Sequence, residues 1–144
     1  MSHEITLRPA AENDAAWIAD LRAVVMRPDL ERLGLFDPVW VRERFLRGFV
    51  AGNTRLIEVD GQTAGSVAVR HEPDEHWIEH FYLAAGVQGR GVGSDVLLRV
   101  LDELSDLLPV RLNVLQGSAA RRLYERHGFE FEHDDETDVF LVRR

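Results

Sequence analysis

The sequence contains no cysteine. That excludes disulfides, thiolate zinc sites and a cysteine nucleophile, and it fits a reducing, cytoplasmic setting. No apolar run reaches the length needed to cross a bilayer, so no membrane partner is expected. The opening MSHEITLRP has no apolar core of the kind a signal peptide carries. Internal repeats, low-complexity tracts and linkers are also missing. Positive charge is in short supply: the net charge is −8, which argues against a nucleic-acid partner and is compatible with a cationic substrate. What remains is 144 residues, 45% apolar and 29% charged, enough for one soluble domain with a real core.

The elements follow from periodicity and turn chemistry. Ile5 and Leu7 alternate with polar residues as a first strand. Asn13 or Asp14 can cap a helix with Trp17, Leu21, Val24 and Val25 on one face. Residues 27–37, RPDLERLGLFD, break that pattern and are expected to form a loop or short turn. Asp37-Pro38 starts a second helix, with Val41, Phe45 and Phe49 as its buried stripe. Asp60-Gly61 separates strand-like residues 55–59 from 62–69 and predicts a hairpin. Residues 77–83 form a further strand, 92–108 a helix with Val96, Leu97, Val100, Leu101 and Leu104 on one face, and 109–115 another strand. A short helix over 118–127, capped by Ser118 and stopped by Gly128, leads into strands at 129–132 and 138–142. The order β-α-α-β-β-β-α-β-α-β-β describes a mixed α/β single domain.

Two adjacent motifs compete. His76, Glu79 and His80 spell H-x-x-E-H, a zinc-peptidase signature when it lies on a helix. Gln88-Gly89-Arg90-Gly91-Val92-Gly93 is a glycine-rich turn before an apolar helix, the way backbone amides are presented to phosphates. Residues 77–83 are dominated by aromatic and β-branched side chains, which favour a strand. On a strand His76 and His80 stand roughly 13 Å apart, at about 3.3 Å per residue. One zinc ion with bonds of about 2 Å cannot join them. No metal site is therefore expected: Glu79 faces away from both histidines, His76 lies at the surface and His80 is half-buried. The phosphate reading needs strand, glycine turn and helix in that order, and finds all three. Gly91 and Gly93 let an anion approach the backbone, the helix amides lack internal partners, and Arg90 adds a charge. The lysine of a nucleoside-triphosphate loop is absent; Gly89-x-Gly91-x-x-Ser94 is a near miss to the dinucleotide fingerprint, and that alternative stays open on the glycines alone.

Gln88-x-x-Gly91-x-Gly93 resembles the Q/R-x-x-G-x-G/A signature of the GNAT N-acetyltransferases. Ala120–Phe131, ARRLYERHGFEF, resembles that family's second signature, L-Y-E-x-x-G-F on a helix, and the likeness extends over essentially the whole chain. The resemblance implies a single α+β domain over residues 1–144, with a mixed, mostly antiparallel central sheet flanked by about four helices. It implies acetyl-coenzyme A as cosubstrate and acetyl transfer to a primary amine of a small molecule or peptide, by direct attack in a ternary complex. Carried over residue by residue, Phe81, Tyr82 and Leu83 would pair with the pantetheine arm. Gln88, Gly89, Arg90, Gly91, Val92, Gly93 and Ser94 would hold the pyrophosphate. Glu79 would be the general base, directly or through water, and Tyr124 the general acid at the coenzyme sulfur. Many relatives place an asparagine before the last helix. Gly117-Ser118 stands there in this chain, and the Ser118 hydroxyl is the expected substitute.

The chemistry is consistent with those roles. A lysine-type amine, with a pKa near 10, must lose a proton before it attacks a thioester. A backbone amide such as that of Leu83 can stabilise the oxyanion that develops. A non-catalytic acyl-coenzyme A sensor of the same fold is the alternative. The acceptor is expected to be shaped by residues 22–40, which carry no motif, and whether the chain forms a homodimer stays open.

Overall fold

In the computed structural model, which describes residues 3–144, Asp60 and Gly61 turn the chain with φ of 51° and 83°. Positive φ at both positions matches the twist of the flanking strands. The turn joins β2 (Thr54–Val59) to β3 (Gln62–His71). With β1 (Ile5–Pro9), β4 (His76–Leu83), β5 (Val110–Leu115), β6 (Glu130–Asp134) and β7 (Asp138–Arg143) they form one seven-stranded sheet of order β1-β2-β3-β4-β5-β7-β6. Every neighbouring pair is antiparallel except β4 and β5. Those two are joined through α3 (Val92–Glu103). The other helices are α1 (Ala15–Arg32), α2 (Pro38–Gly48) and α4 (Ala120–Arg126). A mixed, mostly antiparallel sheet with four helices is the architecture expected.

The helices cover both faces of the sheet. Val92, Val96, Leu97, Val100 and Leu101 of α3 are buried with Ile57, Val69, Ile78, Leu112, Tyr124 and Phe129 in the larger core. On the opposite face Ile18 and Ala19 of α1 and Phe45 of α2 pack on Leu56 and Tyr82. The start of α2 follows its sequence signal: the Asp37 carboxylate accepts from the amides of Val39 and Trp40, with Pro38 in the first turn. Val41 and Phe45 are fully buried, as expected.

Three expectations need correction. First, α1 does not stop at Arg27 but runs through Pro28 to Arg32. Proline at 28 removes one amide, and the Val24 carbonyl it would have engaged lies on an exposed turn, where water can replace the bond. Leu30 is buried against Ala23 and Val41 and holds the last turns in place. Second, the buried face of α1 is Ile18, Ala19, Arg22, Ala23 and Leu30, whereas Trp17 and Val24 are exposed. Apolar residues surround this helix, so periodicity did not select a face; the small side chains of Ala19 and Ala23 are the ones turned inward. Third, α3 ends at Glu103, and Leu104 is already extended. The Ser105 hydroxyl accepts from the Leu107 amide, a local bond that competes with helix, and Pro109 disfavours helix at Leu108.

All 17 basic side chains are arginines. Many of them pair with carboxylates at the surface, for example Arg42 with Asp20, Arg55 with Glu103 and Arg99 with Asp95. Among the described residues no helix is long and apolar enough to cross a membrane.

Candidate active site

The sheet opens along one seam. β4 and β5 pair only at His76↔Val110 and Trp77↔Arg111. Beyond Trp77 β4 stays with β3 as far as Leu83, and β5 stays with β7 as far as Leu115, so the two strands diverge. The β5-facing edge of Phe81, Tyr82 and Leu83 is left without a strand partner. Backbone donors and acceptors on such an edge are available to an extended ligand. His76 is buried, not at the surface as expected, because its amide bonds the Pro109 carbonyl at 3.0 Å at the closed end of this seam. Its ring meets His71, Nδ1 to Nδ1 at 2.9 Å.

Residues 76–83 are strand, so the helical arrangement that H-x-x-E-H requires does not form. The strand is not regular, however. Ser66 pairs with Tyr82 and Ala68 with Glu79, which leaves one extra residue on β4. His80 absorbs it with a φ of 51°, and the Ser66 hydroxyl donates to the His80 carbonyl at 2.8 Å. Gly65 is required here: a Cβ at that position would lie 2.3 Å from the Tyr82 carbonyl oxygen. Such a bulge breaks the alternation of a strand. Glu79 and His80, expected on opposite faces, therefore share one, and Glu79 Oε2 lies 3.3 Å from His80 Nε2.

The other Glu79 oxygen accepts from Arg70 Nε at 2.8 Å. The hydrogen bond from His80, with that from Arg70, holds the Glu79 carboxyl below the usual range against the opposing effect of burial. His80 Nδ1 lies 3.4 Å from the Tyr82 hydroxyl, and its ring meets Phe45 of α2 edge-on. Burial pushes the Tyr82 phenol up to about 12, with the Arg22 guanidinium opposing. Tyr124 belongs to the other side of β4. It is buried between Phe81 and Phe129, with ring centroids 6.4 and 5.7 Å away, and burial raises its pKa. The two candidate catalytic side chains thus approach the open edge from opposite faces of the sheet.

At the mouth of the seam the chain makes its glycine turn. Gly89 and Gly91 have φ of 76° and 79°, and Gly91 caps α3. A Cβ at either would meet nothing within 4 Å, so there is open space above the backbone. The first helical bond is Asp95 N to Gly91 O, and the amides of Val92, Gly93 and Ser94 head the helix without intrahelical partners. This is the arrangement that receives a phosphate. Several predicted contacts look different in detail. Gln88 Nε2 donates back to the Leu83 carbonyl at 2.7 Å, bracing the turn. Ser94 Oγ is engaged by His127 Nε2 at 3.1 Å, and Ser118 Oγ accepts from the Ala120 amide at 3.2 Å. Gly93 is small because a Cβ would press on Leu123 at 3.3 Å. Val92 is buried and offers only its amide, and Arg90 is exposed beside the turn. Reasoning from sequence did not single out Gly65, Ser66, Arg70 or Arg22; a glycine and a serine side by side in a strand, at 65–66, was the one available signal.

Among the described residues no group of three or more His, Asp or Glu side chains is placed to hold a metal ion. The acetyltransferase (GNAT) domain family matches in sequence over residues 47–131, more than half of the chain. The fold is similar to the PaiA N-acetyltransferase of Thermoplasma acidophilum, solved with coenzyme A: TM-score 0.80 and 18% identity over 100% of this chain and 99% of that one. It is similar to an N-acetyltransferase of Staphylococcus aureus Mu50, with TM-score 0.72 and 19% identity over 95% and 99% of the two chains. N-acetylglutamate synthase of Neisseria gonorrhoeae, solved with coenzyme A and N-acetyl-glutamate, matches at TM-score 0.70 and 19% identity over 100% of this chain and 36% of that one. No curated protein matches the chain in sequence.

Proposed function

The chain belongs to the acetyltransferase (GNAT) domain family, and from that premise we propose that residues 1–144 form one N-acetyltransferase domain. It uses acetyl-coenzyme A to acetylate a primary amine of a small molecule or peptide, by direct attack in a ternary complex. One observation carries this reading: the unpaired edge of β4 runs to a glycine turn whose helix amides face open space. Solved neighbours of this fold hold coenzyme A.

When bound, acetyl-coenzyme A supplies an acetyl group activated as a thioester. The amides of residues 89–94 hold its pyrophosphate, with Arg90 adding charge and Gln88 bracing the turn from below. Phe81, Tyr82 and Leu83 pair through their backbone with the pantetheine arm and exclude water on one side. Ser118, whose hydroxyl is engaged by the Ala120 amide, contributes the position of the α4 start rather than a free hydroxyl.

Glu79 alone is a poor direct base. Moving a proton from an ammonium with a pKa of about 10.4 to a carboxylate below its ordinary 4.5 is uphill by at least about 8 kcal/mol. Imidazole is intrinsically the stronger base. We therefore assign the pair jointly: Glu79 accepts from His80 Nε2–H, which leaves the His80 Nδ1 lone pair facing the Tyr82 hydroxyl and the acceptor side. Tyr124 stays protonated across the working pH range, since burial lifts it above an ordinary phenol. Full transfer to a thiolate of pKa about 8.5 is uphill by at least about 2 kcal/mol, so Tyr124 acts as a hydrogen-bond donor to the leaving sulfur.

The test is thiol release from acetyl-coenzyme A with a broad panel of primary amines, with products identified by mass. Amine-dependent release with an acetylated product supports the assignment. Coenzyme A binding with no amine-dependent release across the panel overturns it in favour of a binding protein.

A further inference from the structure

Arg22, on the buried face of α1, is only 8% exposed. Among the described residues its hydrogen-bond partners are the Val41 carbonyl of α2, 2.8 Å from Nη1, and the Met26 sulfur, 3.2 Å from Nε, and no carboxylate lies within ion-pair distance. This inverts the usual economy of charge. Taking a cation out of water is strongly unfavourable unless an anion compensates, whereas exposed pairs gain little. In this chain the half-buried Arg42 and Arg55 have carboxylates and the buried Arg22 has none. Ile18 and Ala19, one turn earlier on the same buried face, pack with Tyr82, whose phenol burial pushes up to about 12 with the Arg22 guanidinium opposing. Arg44 of α2, stacked over the Trp40 ring at 5.3 Å, adds a second positive charge that reaches the same phenol.

The side chains on this face of β4 therefore form an ordered polar row. Glu79, paired with Arg70, meets His80, and His80 meets Tyr82, while Arg22 of α1 and Arg44 of α2 act on the Tyr82 phenol from the helix side. The Glu79–His80 pair offers an acceptor for an amine proton, and the buried Arg22 lacks an anion. We propose that the acceptor is a zwitterionic amine carrying an oxyanion, carboxylate or phosphate, which Arg22 and Arg44 bind while its amine faces Glu79 and His80. Arginine fits this task, since its planar fork matches an oxyanion in two places at once. The inference rests on the acetyltransferase reading and adds the substrate class to it. A purely structural Arg22 would only tie α1 to α2 through Val41, and would have no preference among acceptors.

Matched amines separate these roles: α-amino acids against the same amines without the carboxyl group, and phosphoethanolamine against ethanolamine. The carboxylate and phosphate arms tell the two anions apart. At least one oxyanion-bearing member should show kcat/KM at least about tenfold above its matched amine. Arg22→Met should raise KM for that member about tenfold or more, lower kcat less, and erase the preference; Arg22→Lys should restore part of it. Arg44→Gln changes an exposed position and should reduce the preference two- to fivefold even if Arg22→Met does not fold. Equal turnover of matched amines, or equal losses for both members in Arg22→Met, would overturn the proposal and leave acetyl transfer intact. Turnover of no amine, with coenzyme A still raising the melting temperature, would instead remove the reading on which it rests.

Discussion

The two sides of the open β4 edge are built from different materials. Towards α3 the site is backbone: glycines at positive φ, unpartnered helix amides, and side chains such as Gln88 and Ser94 that brace the turn. Towards α1 and α2 it is side chains: Glu79, His80, Tyr82 and Arg70, tied to one another, with Arg22 buried on α1 behind them. Backbone amides do not titrate and do not depend on residue identity beyond the glycines. The opposite side depends on protonation and on one bulge. In the proposed function, holding a coenzyme and moving a proton fall to groups that can change independently.

That independence can be broken by substitution. Glu79→Gln should lower turnover by about a hundredfold or more, the usual scale for losing proton-transfer catalysis, with the coenzyme A melting shift retained. Its activity should recover as pH rises towards the pKa of the amine, and a wild-type pH–rate profile would remove Glu79 from the mechanism. Gly91→Val is the reciprocal change. Wild-type protein should gain about 2.7 kcal/mol at a hundredfold excess of coenzyme A over its dissociation constant. The variant should lose most of that gain, measured against its own melting without coenzyme, while the pH dependence of the residual rate keeps its shape. Tyr124→Phe should slow turnover about tenfold with unchanged coenzyme affinity, and less so with an acyl donor whose thiolate leaves more readily; an unchanged rate with both donors would exclude the hydroxyl.

The smallest effect concerns the closed end of the seam, which serves neither side directly. Burial, with the neighbouring His71, lowers the pKa of His76 below its ordinary 6.5. The unfolded chain then binds the proton more readily than the folded one. The contribution of His76 to stability is complete above about pH 6.5 and declines as pH falls from there towards the folded pKa. Urea unfolding between pH 8 and 5 should show a slope that His76→Gln removes; an identical slope in the variant would mean that other groups set it.

The same division explains how much was legible in the sequence. The Asp60-Gly61 hairpin, the capped start of α2, the buried face of α3 and the glycine turn are local signals, and the structure carries each of them. The decision for strand at residues 76–83 was also local, resting on aromatic and β-branched side chains. The side-chain half was not legible because its cause is non-local. His80 turns towards Glu79 only because Gly65 and Ser66, a strand away, admit the Tyr82 carbonyl and bind that of His80. His76 is buried only because Pro109 arrives beside it after a helix crossover. Arg22 lay on a helix with apolar residues all round, where no period marks the inward face. The side chains of Gln88, Ser94 and Ser118 could be assigned to a ligand by motif, but their protein partners at Leu83, His127 and Ala120 emerge only from the packing.

The arginine-only surface has a consequence for a protein that handles a reactive acyl donor. Thioesters acylate exposed lysines slowly without any catalyst, and each such event deletes a positive charge. A guanidinium is far too basic to lose its proton at neutral pH, so it presents no lone pair to an acyl carbon. With every basic side chain an arginine, no side chain of the folded surface offers an amine that competes with the acceptor. The ion pairs of Arg55 with Glu103 and Arg99 with Asp95 cannot be eroded in this way. The chain therefore carries no lysine of its own to be acetylated by the reagent it is proposed to use.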